Sequence, residues 1–335
     1  MKNGDALAQL VDMAKAAIET GAGGQLNDSQ SDAFIQEVQD KSSFGAQIRT
    51  ERRRAPKGTI DKIGIGRRLL RGHKENTDDG YRAGINTDDV AYDASELWLP
   101  IEITRNFKHE NLEGDSAEAK ILDLVTNQFA LDLDDLRING DEGSADPMLK
   151  EDDGFVKLII DSAKTHHVEG GKVKDGSGAE LKGKMDTALF FALLYATPTK
   201  YINTGRLRWG MSPARWVTWI ESLVQRETAV GDAALTAKDL YPLGIPPFIA
   251  TSSTNGGATI PGIPGFPDDL ITLFDPQNVC EVITWDIERY SVKAGQDWEL
   301  TTRRKDGHVF FIKRDLIVVE DDAVSYADEL NAIGA

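Results

Sequence analysis

SAEAKILDLVTNQFALDLDDLRINGDEGSADP, residues 116–147, is the stretch on which the fold turns. Ile121, Leu124, Val125, Leu133 and Leu136 recur at helical spacing and predict a long helix from Ser116 to Ile138. Asp115, with Glu118 three residues on, has the form of a capping box. Asn139-Gly140 is expected to end the helix with a left-handed residue. The same stretch gathers six carboxylates around the turn: Asp132, Asp134, Asp135, Asp141, Glu142 and Asp146. A calcium loop would explain them, but its register fails: counted from Asp132, Leu136 takes the third ligand position and Arg137 the position that needs glycine. Asp132 and Asp135 share one side of a helix, as acids on solvated faces commonly do. The stretch therefore reads as a helix end and a turn, with no metal expected.

Upstream, DALAQLVDMAKAAIET (5–20) has a helical apolar stripe, GAGG (21–24) stops it, and a second short helix is expected from Ser31 to Val38. This front end has little core of its own and reads as an arm that packs on something else. Residues 45–100 are polar, basic and glycine-rich. Alternation around Ile60 to Ile65 and again from Val90 to Leu99, with the polar tip HKENTDDG between, predicts a long two-stranded excursion. Such a hairpin is marginal alone and must lean on a neighbour. IEIT (101–104) reads as a strand.

Downstream, GFVKLIIDSA (154–163) predicts a short helix, 171–183 a loop, Met185–Ala196 an apolar helix stopped near Pro198, and RLRWGM (206–211) a strand. Ser212-Pro213 opens a helix whose buried face is expected to be Trp216, Trp219, Ile220, Leu223 and Val224. Residues 241–267 are a proline- and glycine-rich loop. VCEVITWDIERYSV, WELTTRR and HVFFIKRDLIVVE are strand candidates, with Asp306-Gly307 as the hairpin turn between the last two.

The 335 residues carry a net charge of −17, unevenly spread. Residues 1–40 hold 2 basic and 7 acidic residues (−5), residues 41–74 hold 11 and 2 (+9), and residues 75–335 hold 25 and 46 (−21). So acidic a chain does not coat nucleic acid by bulk attraction. The single cysteine, Cys280, excludes an internal disulfide and a cysteine-based zinc site. The most apolar run, Ala188–Ala196, is far short of a membrane span, and the N-terminus lacks signal-peptide character. Gly64-Ile65-Gly66 begins a dinucleotide fingerprint, but Leu69 stands where its third glycine belongs. His166-His167-Val168-Glu169 is not a zinc-protease motif, and surface histidines are the expected reading. Within the basic segment, Arg52, Arg53, Arg54, Lys57, Arg67, Arg68, Arg71 and Lys74 lack interleaved aromatics for base stacking. Against a remainder of −21, they read as contacts to the acidic surfaces of sister subunits.

The order of features resembles the major capsid proteins of tailed bacteriophages, the Hong Kong 97-like family. The features are a helical arm, a long polar excursion, WLPIEIT (98–104), the long helix with LRINGDEGSADPML, DGF (153–155), KYINTGRLRWGMSP (200–213), QRETAVGD (225–232) and KRDLIVVEDDAVSYA (313–327). The resemblance implies an α+β fold. Its parts would be an N-terminal arm (1–45), an extended loop (46–98), a peripheral domain with a spine helix (99–200 and 284–335) and an axial domain (201–283). It implies a self-assembling, non-enzymatic shell protein without cofactor, metal or catalytic residues. Hexamers and pentamers would enclose double-stranded DNA without sequence-specific binding, in a virion assembled in the host cytoplasm. A separate scaffolding protein, a portal and decoration proteins are the implied partners, and no membrane. Lys57, Lys62 and Lys74 match relatives' crosslinking lysines by location alone, so crosslinking is not expected. An encapsulin-like nanocompartment shares the fold, and an acidic metal-dependent hydrolase is the distant alternative.

Overall fold

The computed structural model describes residues 44–64, 86–104, 116–202, 205–224, 241–249, 254–255, 258–259, 265–292 and 305–330. The arm helices, the tip HKENTDDG, the basic residues Arg67, Arg68, Arg71 and Lys74, the Asp115 cap and the WELTTRR strand lie outside these residues.

Strand alternation builds the first sheet. Strands β1 (Arg49–Arg52), β4 (Ser95–Thr104), β11 (Val279–Val292) and β12 (Lys305–Val318) pair in the order β1-β11-β12-β4. On β11, Cys280 and Val282 face one way, while Val279, Glu281 and Ile283 face the other; all five are buried. The sheet is thus covered on both faces. One face carries the expected spine helix α1 (Ser116–Asn139), through Phe129, Ala130 and Leu133 against Ile283, Phe310 and Ile312. The other carries the base of a hairpin, β2 (Lys57–Gly64) with β3 (Asn86–Asp93), through Ile60 and Tyr92 against Cys280, Val282 and Ile317. The predicted excursion is therefore a hairpin whose foot rests on its own sheet. Two sequence expectations are corrected here. Asp306 and Gly307 are not a turn: they sit inside β12, paired with Ile103 and Glu102 of β4, and the β11–β12 connection spans 293–304.

The second correction concerns Gly140. Its φ is not positive. It is glycine because a Cβ there would lie 2.3 Å from the Asp152 carbonyl oxygen and 2.6 Å from that of Leu136. Gly154 stands opposite, where a Cβ would lie 2.5 Å from the Gly140 nitrogen. The two glycines let the end of α1 touch the start of α2 (Phe155–Asp161), and Gly154 N–H donates to the Gly140 carbonyl at 2.9 Å.

The second sheet joins β5 (His166–Glu169), β13 (Ser325–Asp328), β10 (Ile271–Phe274), β6 (Arg208–Met211) and β7 (Pro247–Ile249), in that order. Helices α3 (Thr187–Ala196) and α5 (Pro213–Val224) cover it, with the short α4 (Thr199–Ile202) between them in sequence. Phe190 wedges edge-on between Trp209 and Trp219, at 4.9 and 4.8 Å. On α5 the buried face is Arg215, Trp219 and Leu223, with Trp216 and Ile220 half-buried; Val224 is exposed, contrary to the expected stripe. A two-residue-strand hairpin, β8 (Thr254–Asn255) and β9 (Ala258–Thr259), lies within the proline-rich segment.

Between the sheets Phe44, Phe155, Phe248, Phe266 and Phe274 form one aromatic cluster. Phe44 is fully buried there, so the chain entering from the arm is anchored in the main core.

Candidate assembly site

The carboxylates of residues 131–147 are engaged in local structure. Asp134 is buried, receives the N–H groups of Phe44 and Gly45 at 3.2 and 3.3 Å, and pairs with Arg137 at 2.9 Å. It fastens the end of the arm to the spine. Asp135 accepts from Asn139, and Asp132 from Gln128. Burial pushes both of these carboxyls up, against those hydrogen bonds. Asp141 accepts from Gly143 N–H, and Asp146 from Met148 N–H, closing the turn. Among the described residues no group of three His, Cys, Asp or Glu side chains converges to hold a metal ion.

Beneath this turn lies a cluster that the sequence reading missed. Arg137 donates to both carboxylate oxygens of Glu281, at 3.0 and 2.7 Å, and to Asp134. Arg314 Nε lies 3.3 Å from Glu281, and its Nη2 donates to Asp152 at 2.9 Å. Burial alone would push the Arg137 guanidinium down, but Glu281 and Asp134 push it up, and the attraction wins. Asp315, beside Arg314 in β12, accepts the N–H of Asp93 at 2.7 Å. The cluster thus links the spine, the sheet, the turn, the end of the arm and the foot of the hairpin. A signal for it existed: Glu281 sits inside an otherwise apolar strand run, the charged triplet Lys313-Arg314-Asp315 interrupts another, and Arg137 follows Leu133 and Leu136 on the helix.

The basic candidates divide. Arg53 pairs with Glu51 at 3.0 Å and Lys57 with Asp93 at 2.6 Å; Arg52 and Arg54 are exposed. Lys62 lies 4.0 Å from Glu320. The two histidines of β5 take separate acids, His166 with Asp322 and His167 with Asp328. Next to the hairpin's exit strand, a groove of about 370 Å³ runs between β4, an edge strand, and α1. Its floor is Leu97, Leu99, Phe129, Leu133 and Met148, and Glu96, Asp132 and Glu151 stand at its rim. Trp98 beside it is 65% exposed, although large apolar side chains are ordinarily covered.

The architecture has known counterparts. A protein of Bacillus subtilis (strain 168) named as a prophage capsid protein, YqbE, is 29% identical over 244 residues, 71% of this chain and 73% of that one. A chain of the satellite phage P4 procapsid, solved with its size determination (Sid) protein, superposes with a TM-score of 0.62 at 17% identity, over 99% of this chain and 98% of that chain. This chain is a phage capsid protein with the Hong Kong 97-like fold. A Gordonia phage Cozz chain shares the fold at a TM-score of 0.55 and 14% identity, over 87% of each chain. No family model matches the capsid protein's sequence. The capsid protein's role is structural.

Proposed function

We propose that this capsid protein is the major shell subunit of a tailed phage, forming hexamers and pentamers around double-stranded DNA. Its function is association. The observation that carries the reading is the acid-rimmed apolar groove beside the exposed Trp98, and the sequence GRRLLRG (66–72), with Leu69 and Leu70 among three arginines, has the composition to complement it. In this reading Leu69 and Leu70 of one subunit enter a neighbour's groove while Arg67, Arg68 and Arg71 meet Glu96, Asp132 and Glu151. Arg52, Arg53, Arg54, Lys57 and Lys74 extend the basic face along the loop. Complementary charge of this kind fixes register and suppresses wrong partners, and many such weak contacts per shell add through multivalency.

The same reading takes a separate scaffolding protein, a portal and decoration proteins as partners. Assembly takes place in the host cytoplasm, and the acidic bulk of the chain faces DNA that must slide. The relation to a prophage capsid protein supports a phage shell over an encapsulin-like compartment. The engagement of Asp134, Asp135, Asp141 and Asp146 in local hydrogen bonds weighs against a metal-dependent hydrolase.

Electron microscopy of the protein, expressed with and without its neighbouring genes, tests the proposal. Uniform closed shells are expected, and Trp98→Asp should abolish them while leaving the folded subunit intact. Small oligomers under every condition would overturn the shell reading. Normal shells from Trp98→Asp would overturn the groove's part in it.

A further inference from the structure

We propose that the outward side of α3, with that of α5 beside it, is a contact surface for a second copy of this chain. The sequence of α3 (Thr187–Ala196), TALFFALLYA, holds no charged residue. One side of the helix belongs to the core: Leu189, Phe190 and Leu193 are fully buried against the second sheet. The opposite side is just as apolar and faces solvent in the single chain. Phe191 and Tyr195, one turn apart, are 43% and 82% exposed, and their rings stack at 6.1 Å. A helix resting on a globular core turns charged and polar residues to solvent, and one that is apolar all round is normally covered all round.

Helix α5 extends the surface. Phe190 of α3 meets Trp219 of α5 at 4.8 Å, and both helices bury into one cluster with Trp209, Met211, Ile271 and Leu273 of the sheet. The two helices therefore lie side by side on one face of the sheet, with their outer sides turned the same way. On α5 that side shows the exposed Val217 and Val224, with Glu221 as the charge between them. Exposed lysines stand at the ends of α3, Lys182 and Lys184 before it and Lys200 after it. An apolar centre with a polar rim is the anatomy of a protein interface. The groove beside Trp98 is a separate place, on the first sheet.

The size of the surface says what covers it. At about 200 Å² per aromatic side chain, the exposed parts of Phe191 and Tyr195 offer roughly 250 Å². A stable pair of proteins needs about 800 Å² from each partner, and Val217 and Val224 do not close that gap. The surface is too small to hold a separate protein by itself. It suits one of several contacts between repeated copies, where weak contacts add. A bilayer is no better occupant. At about 15 Å, α3 is far too short to span one, and it lacks the charged face of a helix that lies on one. Exposed apolar surface is also a hazard to a chain that must wait for its partner, and a second copy is the partner always made in equal amount. How many copies meet rests on the shell reading; the contact itself needs only two.

Hydroxyl-radical labelling of the full-length chain, read by mass spectrometry at Phe191 and Tyr195, tests the contact. The chain is expressed alone, and its monomer on dilution is compared with the largest species it forms. Labelling of Tyr195 should fall about fivefold in the larger species, since a side chain 82% exposed passes to the centre of an interface. Tyr195→Lys should keep the wild-type unfolding midpoint and leave the chain monomeric, whereas Tyr195→Phe should assemble as the wild type does. If the wild type never dissociates, the Tyr195→Lys monomer supplies the reference, read at Phe191. Shells in which Tyr195 is labelled as in the monomer, or normal assembly of Tyr195→Lys, overturn the contact and leave the shell reading standing. Small oligomers that protect Tyr195 support the contact and overturn the shell reading. A chain monomeric at every concentration overturns both. Protection that appears only with the products of neighbouring genes assigns the surface to another protein and overturns the proposal.

Discussion

Replacing Arg137 by methionine removes a guanidinium whose side chain is 1% exposed while leaving its volume roughly filled. Three charge-assisted hydrogen bonds go, two to Glu281 and one to Asp134. The carboxylates left behind are not bare. Glu281 keeps Arg314 Nε at 3.3 Å, and Asp134 keeps the N–H groups of Phe44 and Gly45. Breaking a buried pair by removing one partner costs about 3–5 kcal/mol, mostly the penalty of a buried charge left unmatched, and these residual partners place the expected loss near the lower end. Adding Glu281→Gln and Asp134→Asn to Arg137→Met removes the stranded charges, so the combined variant should be more stable than the single one by about 1–3 kcal/mol. Urea unfolding of the full-length chain, followed by tryptophan fluorescence, reads both changes; Trp209 and Trp219 are buried reporters of the second sheet. A loss under about 1 kcal/mol for the single variant, or a combined variant less stable than the single one, would refute the view that the cluster is held by charge matching.

Phe44→Ala empties a site ringed by Phe155, Phe248, Phe266 and Phe274 at 5.4–6.4 Å. It should cost about 3–5 kcal/mol and make the arm junction sensitive to brief proteolysis, measured by unfolding and by mapping the first cut. Gly154→Ala drives a Cβ onto backbone atoms of Gly140, Leu136 and Ile138 at 2.5–2.9 Å, and should destabilise by more than about 2 kcal/mol. Gly176→Ala, with nothing within 4 Å, should change stability by less than about 0.5 kcal/mol. Because the folded chain holds the Asp152 proton that the unfolded chain releases near pH 4, the Asp152 contribution to stability falls as pH rises from about 4 to about 7, by at most about 1.4 kcal/mol per unit. Denaturation midpoints across that window should slope less steeply in Asp152→Asn.

The parts of the fold legible in the sequence are those in which one local rule acts alone. The spine helix ran one residue beyond its predicted end, and β11 occupies the run 279–292 as read. Both announce themselves by periodicity. The hairpin β2–β3 was legible from alternation on either side of a polar tip. Its foot was not, because Ile60 and Tyr92 bury against strands more than 180 residues away. Asp306-Gly307 looked like a turn because Asp-Gly favours one, yet pairing with β4 carries the strand straight through it. Gly140 was read for its backbone freedom and is needed instead for the approach of Asp152 and Gly154, contacts that form only after the chain folds back. On α5, the outward Val224 and the buried Arg215 break the stripe. Arg215 hydrogen-bonds the Asp268 carbonyl, a partner no helical pattern reveals.

The charged core explains why the candidate site was harder to read than the fold. The acids that drew attention, in 131–147, are conspicuous because they are clustered in sequence, and of them Asp141 and Asp146 close a turn. The acids that organise the molecule are scattered: Asp134 alone comes from that stretch, and it meets Glu281 and Asp152 through Arg137 and Arg314 only when the spine crosses the sheet. A buried ion cluster is weak evidence for stability, since apolar side chains of the same volume often do as well. What apolar side chains lack is direction. Phe44 N–H, Gly45 N–H and Asp93 N–H each point to one carboxylate oxygen, so the arm and the hairpin leave the core at fixed places and in fixed registers. On the proposed shell reading, in which the two extensions meet neighbours, the subunit needs that placement more than it needs another kilocalorie. On this argument, apolar replacement of the whole cluster would give a stable chain that assembles poorly, whereas replacement of surface pairs such as Lys172–Glu169 would affect neither property.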